Sequence, residues 1–187
     1  MKDKAIEELI KLYNSGKLSD VENKVTELIK KDKENFVLYN IFGTVLIDKK
    51  NFKEGIINYE KSLKINPNYA EGHNNLGIAL YKLGKYIESI NSYKHAIKIK
   101  PDFAKAYNNL GLSYKEIGKF VESINSYQEA IKINSKYAEA YNNLGVTFKE
   151  LGELNKSINS YQEAIKINPN YFEAYNNIGN VYNSNQE

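Results

Sequence analysis

The chain has 187 residues, a net charge of +3 and no cysteine, which excludes disulfides and cysteine-ligated metals. Its basic residues are all lysine, and they alternate with glutamate at helical spacing instead of forming the clustered basic face that nucleic acid requires. The opening segment mixes charged and apolar residues, unlike a signal peptide or a membrane span. We therefore expect a cytoplasmic protein with no cofactor, no metal, no nucleic-acid partner and no membrane partner.

A repeat of 34 residues dominates the sequence. Gly77, Gly111, Gly145 and Gly179 fall at this spacing, each inside a near copy of the phrase YNNLG. A repeat of this length is typical of a supersecondary structure that buries its apolar face only by stacking on its neighbours. In chain order the repeats span about residues 2–35, 36–69, 70–103, 104–137 and 138–171, with a partial repeat at 172–187. We interpret them as one domain.

Each repeat is predicted to be a hairpin of two helices. Apolar residues recur at spacings of three and four in both halves of the repeat, which places them on one helical face. The glycines between the halves, which suit the left-handed conformation that ends a helix, are Gly84, Gly118 and Gly152. Proline stops the second helix in three repeats, and the same break is expected where Ser135 replaces it. A lone helix is expected to begin near Phe172.

The repeats come into register when position 1 is set at Phe36, Ala70, Ala104, Ala138 and Phe172. The pattern is then aromatic-x2-Leu-Gly-x2-aromatic at positions 4 to 11, small-x3-aromatic-x2-Ala in the second helix, and proline near the end. This pattern resembles the tetratricopeptide repeat. The resemblance implies an all-α fold, an α-solenoid wound as a right-handed superhelix, whose first helices line the concave side. Positions 4, 7, 8 and 11 would form the core, leaving positions 2, 5, 6, 9 and 12 for the groove.

Paired asparagines occupy positions 5 and 6. These candidate peptide-binding residues are Asn74, Asn75, Asn108, Asn109, Asn142, Asn143, Asn176 and Asn177. A primary amide offers donors and an acceptor to a peptide backbone. The arrangement is similar to the asparagine ladder of O-linked N-acetylglucosamine transferases, which implies that position 6 holds the peptide and nominates Asn75, Asn109, Asn143 and Asn177. The other interpretation is that double asparagine reflects the family pattern and a composition rich in asparagine and lysine.

Two further kinds of site find less support. The carboxylate clamp that grips acidic chaperone tails in related repeats is matched only at Asn75 and Lys105, so the clamp is incomplete. His73 stands at the aromatic position 4 and His95 on the second helix, where packing explains them better than metal binding or catalysis. We therefore expect no catalytic residue and no enzyme.

The sequence favours a protein-interaction scaffold that binds an extended peptide in its groove. The alternative is a substrate-recruiting arm of a larger glycosyltransferase or sulfotransferase, because residues 9–31 and 38–46 resemble the opening of bacterial repeat arrays that precede such domains. The lone helix from Phe172 keeps core-type residues at Tyr175, Ile178 and Tyr182. We expect the chain either to be part of a longer array or to self-associate through this helix.

Overall fold

The computed structural model describes residues 2–184, with side chains described for residues 4–183. Over that range the chain forms α-helices and no strand. It divides into two compact units, one ending at Ile99 and the other beginning at Lys100. The helices of the N-terminal unit are α1 (Lys2–Asn14), α2 (Leu18–Lys31), α3 (Phe36–Asp48), α4 (Phe52–Ile65), α5 (Ala70–Lys82) and α6 (Tyr86–Ile99). The helices of the C-terminal unit are α7 (Ala104–Glu116), α8 (Phe120–Ile133), α9 (Ala138–Glu150), α10 (Leu154–Ile167) and α11 (Phe172–Ser184).

Within each unit, every helix packs against the next one along the chain. The first helices of neighbouring hairpins also approach each other, α3 with α5 in the N-terminal unit, and α7 with α9 and α9 with α11 in the C-terminal unit. Among the described residues, the second helices of neighbouring hairpins, α4 with α6 and α8 with α10, make no comparable approach. Each unit therefore has an inner side, formed by first helices, and an outer side, formed by second helices.

The turns inside the hairpins contain glycines in the left-handed region. The predicted Gly84, Gly118 and Gly152 have φ between 73° and 75°, and Gly16 of the first hairpin has φ 74°. Lys50 stands at the same repeat position with φ 62°, a conformation that disfavours a side chain. The predicted break at Ser135 is confirmed, because α8 ends at Ile133 and α9 begins at Ala138.

The hairpin core is built on a glycine facing a tyrosine ring. A Cβ atom on Gly111 would lie 2.6 Å from Cε1 of Tyr127, and one on Gly145 would lie 2.6 Å from Cε1 of Tyr161. Both rings are fully buried. The serine at position 20 adds a bond across the same crossing, since Ser123 Oγ donates to the Gly111 carbonyl at 2.8 Å. At position 8, the backbone of the first helix thus contacts the tyrosine ring of the second helix. In these hairpins position 8 has no room for a side chain.

In the first hairpin, the large and small residues of this contact are exchanged between the two helices. Leu9 stands at the glycine position and Val25 at the tyrosine position, and both are fully buried. The larger side chain has moved to the first helix, and the smaller one to the second. Leu9 and Val25 belong to one buried apolar cluster, and the exchange removes the signature by which the other repeats are recognised.

A glycine-to-alanine substitution tests this packing, because position 8 is glycine both at Gly111, which faces a ring, and at Gly179, which does not. We expect Gly111→Ala to lower the free energy of unfolding by about 1–3 kcal/mol, since the methyl group must displace Tyr127. Nothing lies within 4 Å of a Cβ placed on Gly179. Gly179→Ala should therefore be stabilising by about 0.5–1 kcal/mol through helix propensity alone. Urea unfolding of both variants measures the contrast, and equal effects at the two sites would contradict the proposed packing.

Candidate functional site

The candidate site is the set of asparagines at positions 5 and 6 on the inner side of each unit. In the N-terminal unit they lie on α5, with Asn40 as the position-5 residue of α3. In the C-terminal unit they lie on α7, α9 and α11. Hydrogen bonds between asparagines of successive first helices place both positions at the contact between repeats or beside it.

The two asparagines of a pair differ in burial. Asn74, Asn108 and Asn142, at position 5, are 0–3% exposed, whereas Asn75 and Asn143, at position 6, are partly exposed. The expectation that position 5 faces an open groove is therefore corrected for α5, α7 and α9, where this side chain is buried. Asn176, at position 5 of α11, is exposed.

In the C-terminal unit the position-5 amides bridge successive repeats. Asn143 Nδ2 donates to Asn108 Oδ1 at 3.0 Å, and Asn177 Nδ2 donates to Asn142 Oδ1 at 3.0 Å. The other end of each buried amide is also used, since Asn108 Nδ2 donates to a Glu139 carboxylate oxygen at 3.2 Å. Asn142 Nδ2 likewise donates to a Glu173 carboxylate oxygen at 3.4 Å. Each buried asparagine is thus held by positions 2 and 6 of the following repeat.

A link of this kind also occurs in the N-terminal unit. Asn75 Nδ2 donates to Asn40 Oδ1 at 3.2 Å, and Asn40 Nδ2 makes a long contact of 3.5 Å with the Tyr69 hydroxyl. Burial raises the pKa of Tyr69, which keeps its hydroxyl protonated. In the C-terminal unit, burial and the charge of Glu139 raise the pKa of Tyr137 to about 12. The residue before each of these first helices therefore contributes a neutral hydroxyl beside the asparagine of the preceding repeat.

Asn143 and Asn177, at position 6, keep hydrogen-bonding capacity for a ligand. An asparagine amide has two N–H donors and a carbonyl acceptor. Asn143 and Asn177 each spend one donor on the preceding repeat, which fixes the direction of the amide. The second donor and the carbonyl oxygen are not used in those bonds. The predicted ligand role of position 6 therefore stays a prediction, with side chains already oriented by the fold.

Other residues of the inner side form rows beside the asparagines. Leu112 and Val146 at position 9 are partly exposed, and Glu139 and Glu173 at position 2 are exposed. Lys115, at position 12, forms ion pairs with Glu116 at 3.3 Å and Glu150 at 3.5 Å. The asparagines of the C-terminal unit are thus flanked by carboxylates at position 2 of α9 and α11 and by apolar side chains at position 9 of α7 and α9.

The two histidines form a stacked pair in the hairpin of α5 and α6. Their ring centroids are 5.4 Å apart and the rings are 18° from parallel. His73 Nε2 donates to the Pro67 carbonyl at 3.0 Å, and His95 Nδ1 donates to the Asn91 carbonyl at 2.8 Å. Burial lowers the pKa of His73, and a charge on His95 lowers it further. The pair supports the predicted packing role of His73.

The described residues contain neither a metal-ligand cluster nor a membrane-spanning helix. No group of three or more histidine, aspartate or glutamate side chains in this part of the chain is arranged to hold a metal ion. Among the same residues, no helix is both long and apolar enough to cross a membrane.

Repeated helical hairpins that cross at a glycine define a class of α-helical repeat proteins. A family model for the TPR repeat matches residues 43–84, 79–118, 113–152 and 147–186. These matches cover well over half of the chain, and the chain belongs to the tetratricopeptide-repeat family. The predicted family and all-α repeat fold are confirmed. A search of curated proteins found no match.

Solved structures share this fold. YrrB, described as a TPR protein with an unusual peptide-binding site, is 20% identical with a TM-score of 0.74, over 92% of this chain and 89% of YrrB. A solved chain of MamA from Desulfovibrio magneticus RS-1, residue 41 to the end, is 16% identical with a TM-score of 0.79, over 90% of this chain and 96% of that chain. A thermophilic TPR protein of Thermus thermophilus is 16% identical with a TM-score of 0.78, over 97% of this chain and 99% of that protein. Identities this low concern the fold alone.

The buried asparagines give a prediction with an internal control. Asn142→Ala removes the acceptor of Asn177 and the donor to Glu173, so we expect the free energy of unfolding to fall by about 1–3 kcal/mol. Asn176→Ala changes the same repeat position where the side chain is exposed, and we expect less than about 0.5 kcal/mol. Thermal unfolding compares the two. An equal, small effect would mean that the bridge between repeats contributes no stability.

The histidine pair predicts a dependence of stability on pH. The pKa of His73 is lowered in the folded state, so the unfolded chain takes up a proton first as the pH falls through about 6.5. Stability is therefore highest above that pH and declines below it. His73→Tyr installs the residue found at position 4 of the next repeats, and we expect this variant to lose less stability between pH 7 and pH 5 than the parent. Parallel melting curves for the two proteins would contradict this expectation.

Proposed function

We propose that the C-terminal unit binds an extended peptide segment of a partner protein along the inner side of α7, α9 and α11. The contacts are made by Asn109, Asn143 and Asn177 at position 6. The observation that carries the proposal is the orientation of these amides: Asn143 and Asn177 are each held by a buried asparagine of the preceding repeat, at 3.0 Å. The role is that of a non-catalytic scaffold in the cytoplasm.

Preorganisation is the first argument. Fixing a free side chain on binding costs about 0.5–1.5 kcal/mol for each rotamer-rich residue. The bond to the preceding repeat has already fixed the amides of Asn143 and Asn177, so a ligand does not bear that cost. An amide with one donor and one acceptor still to use is complementary to a peptide group, which offers one acceptor and one donor.

Spacing is the second argument. Helices in contact lie about 8–10 Å apart. An extended chain rises about 3.3 Å per residue, so successive asparagines would meet every third residue of a peptide crossing the helices. A segment of about nine residues then covers the three asparagines of the C-terminal unit. Contacts of this kind recognise backbone, and the selection of side chains falls to the flanking rows.

The flanking rows suggest the preferred sequence of the ligand. Glu139 and Glu173 are exposed beside the asparagines, and both also accept the hydrogen bonds from Asn108 and Asn142. On the other flank are the apolar side chains of Leu112 and Val146. We expect segments that carry basic side chains toward the carboxylates and apolar side chains toward position 9. The similar fold of YrrB, whose structure is described as having a peptide-binding site, is consistent with a peptide ligand.

The test begins by selecting ligands from a displayed library of random peptides about twelve residues long, which exceeds the span estimated above. A selected peptide is then measured by calorimetry against the triple variant Asn109→Ala, Asn143→Ala, Asn177→Ala. At about 0.5–1.5 kcal/mol for each lost hydrogen bond, the dissociation constant should rise at least tenfold. Methylating the peptide nitrogen at every third residue should weaken binding to the parent protein in the same way.

The chain offers a matched control on the outer side of the same unit. Asn125, Asn155 and Asn159 are exposed on α8 and α10. Changing these three to alanine alters composition by the same amount, and we expect no change in affinity. Circular dichroism confirms that each variant is folded before binding is compared. The proposal fails if both triple variants bind the peptide as tightly as the parent, or if both weaken it equally.

A further inference from the structure

The first hairpin lacks two rings that the later repeats carry. Position 4 is tyrosine or histidine in the following repeats and is Ala5 here. Position 34, just before the next first helix, is Tyr69, Phe103, Tyr137 or Tyr171 in the later repeats and is Asn35 here. Both replacements are small, and both concern the edge where a first helix begins and a second helix ends.

A cavity of about 400 Å³ lies at this edge. Its apolar lining comes from α1, α2 and α3, through Ala5, Ile6, Leu28 and Leu38. The polar residues around it are Lys31, Asp32 and Asn35. Ala5 and Asn35, which replace the two rings, both line the cavity. The cavity is therefore the space that the missing rings leave open.

The later hairpins show what fills the equivalent space. The ring of His73, at position 4, stacks on His95 of the same hairpin. The ring of Tyr69, at position 34, lies so close to the next first helix that a Cβ on Gly72 would be 2.6 Å from its Cδ1 atom. Tyr69 also contacts Phe36, with centroids 4.9 Å apart. In the second and third hairpins the protein seals this edge with its own aromatic side chains.

We propose that the cavity of the first hairpin binds an aromatic side chain of a partner polypeptide, with tyrosine preferred. The internal repeat indicates the shape, since an aromatic ring is what the other hairpins place at positions 4 and 34. The volume is sufficient, because an apolar cavity of about 150 Å³ already binds benzene and ligand pockets start near about 300 Å³. The polar residues suit a phenol, which has an apolar body and a polar tip. Asn35 Nδ2 donates to Asp32 Oδ2 at 3.3 Å, so this part of the rim is held in place.

This site is separate from the asparagines of the proposed function. It lies in the N-terminal unit, and its lining residues include none of the position-5 or position-6 asparagines. Failure of the proposed peptide site on α7, α9 and α11 would therefore leave the cavity and its proposed ligand unaffected.

The experiment uses p-cresol, the side chain of tyrosine, as the probe. Titration into the isotope-labelled full chain should give saturable shifts of the backbone amides of Ala5, Leu28 and Leu38. Ala5→Tyr restores the ring of the other repeats, and we expect it to weaken cresol binding at least tenfold while raising the melting temperature. Lys11→Tyr is the matched control, because it adds the same ring at an exposed position of α1. This control should leave binding unchanged.

A blocked Gly-Tyr-Gly tripeptide tests whether the cavity accepts the ring as part of a polypeptide and not only as a free small molecule. It should compete with cresol and shift the same amides, whereas Gly-Ala-Gly should not. Binding of cresol without competition by the tyrosine tripeptide would overturn the proposal, since the cavity would then admit only a free small molecule. Shifts that do not saturate, or that survive Ala5→Tyr, would overturn it as well. If Ala5→Tyr does not fold, Asn35→Tyr provides the same obstruction from the opposite side of the cavity.

Discussion

The contact between a glycine of the first helix and a tyrosine ring of the second sets the spacing on which the rest of the structure depends. With no side chain at position 8, the ring of Tyr127 or Tyr161 lies directly against the helix backbone and is fully buried. The same closeness allows Ser157 Oγ to reach the Gly145 carbonyl at 2.8 Å. A hairpin fixed in this way presents its first helix in a constant orientation. Positions 5 and 6 consequently meet the neighbouring repeat in the same geometry each time.

That constant orientation explains why two adjacent asparagines have different roles. Successive residues of a helix point about 100° apart. Position 5 therefore turns into the contact between repeats, where Asn108 and Asn142 are buried, while position 6 turns toward the inner side, where Asn143 is partly exposed. The exposed amide is oriented by the buried one. The proposed ligand contacts and the cohesion between repeats thus depend on the same hydrogen bonds, and a change at position 5 affects both.

The sequence predicted the features that one repeat specifies by itself. The start of each first helix from Phe36 onward, the left-handed glycines and the break at Ser135 all follow from local pattern. The burial of position 5 was not predicted, because it depends on the neighbouring repeat and a helical wheel of one repeat leaves that face open. A signal was present, since a glutamate at position 2 and an asparagine at position 6 accompany each buried asparagine of the C-terminal unit. The burial of Leu9 and Val25 at this contact could not be predicted from the repeat pattern either, because the other hairpins have glycine in the first helix and tyrosine in the second.

A buried amide at the contact between repeats has a cost that an apolar side chain would avoid, since its polar atoms must all find partners. Its advantage is specificity. Apolar faces of two helices pack acceptably in more than one register, whereas Asn142 satisfies both ends of its amide only when Glu173 and Asn177 of the next repeat stand in one position. A single buried asparagine fixes the register of helix pairs in the same way in coiled coils. In the C-terminal unit, whose repeats all carry these asparagines, the constraint fixes the register in which each first helix meets the next.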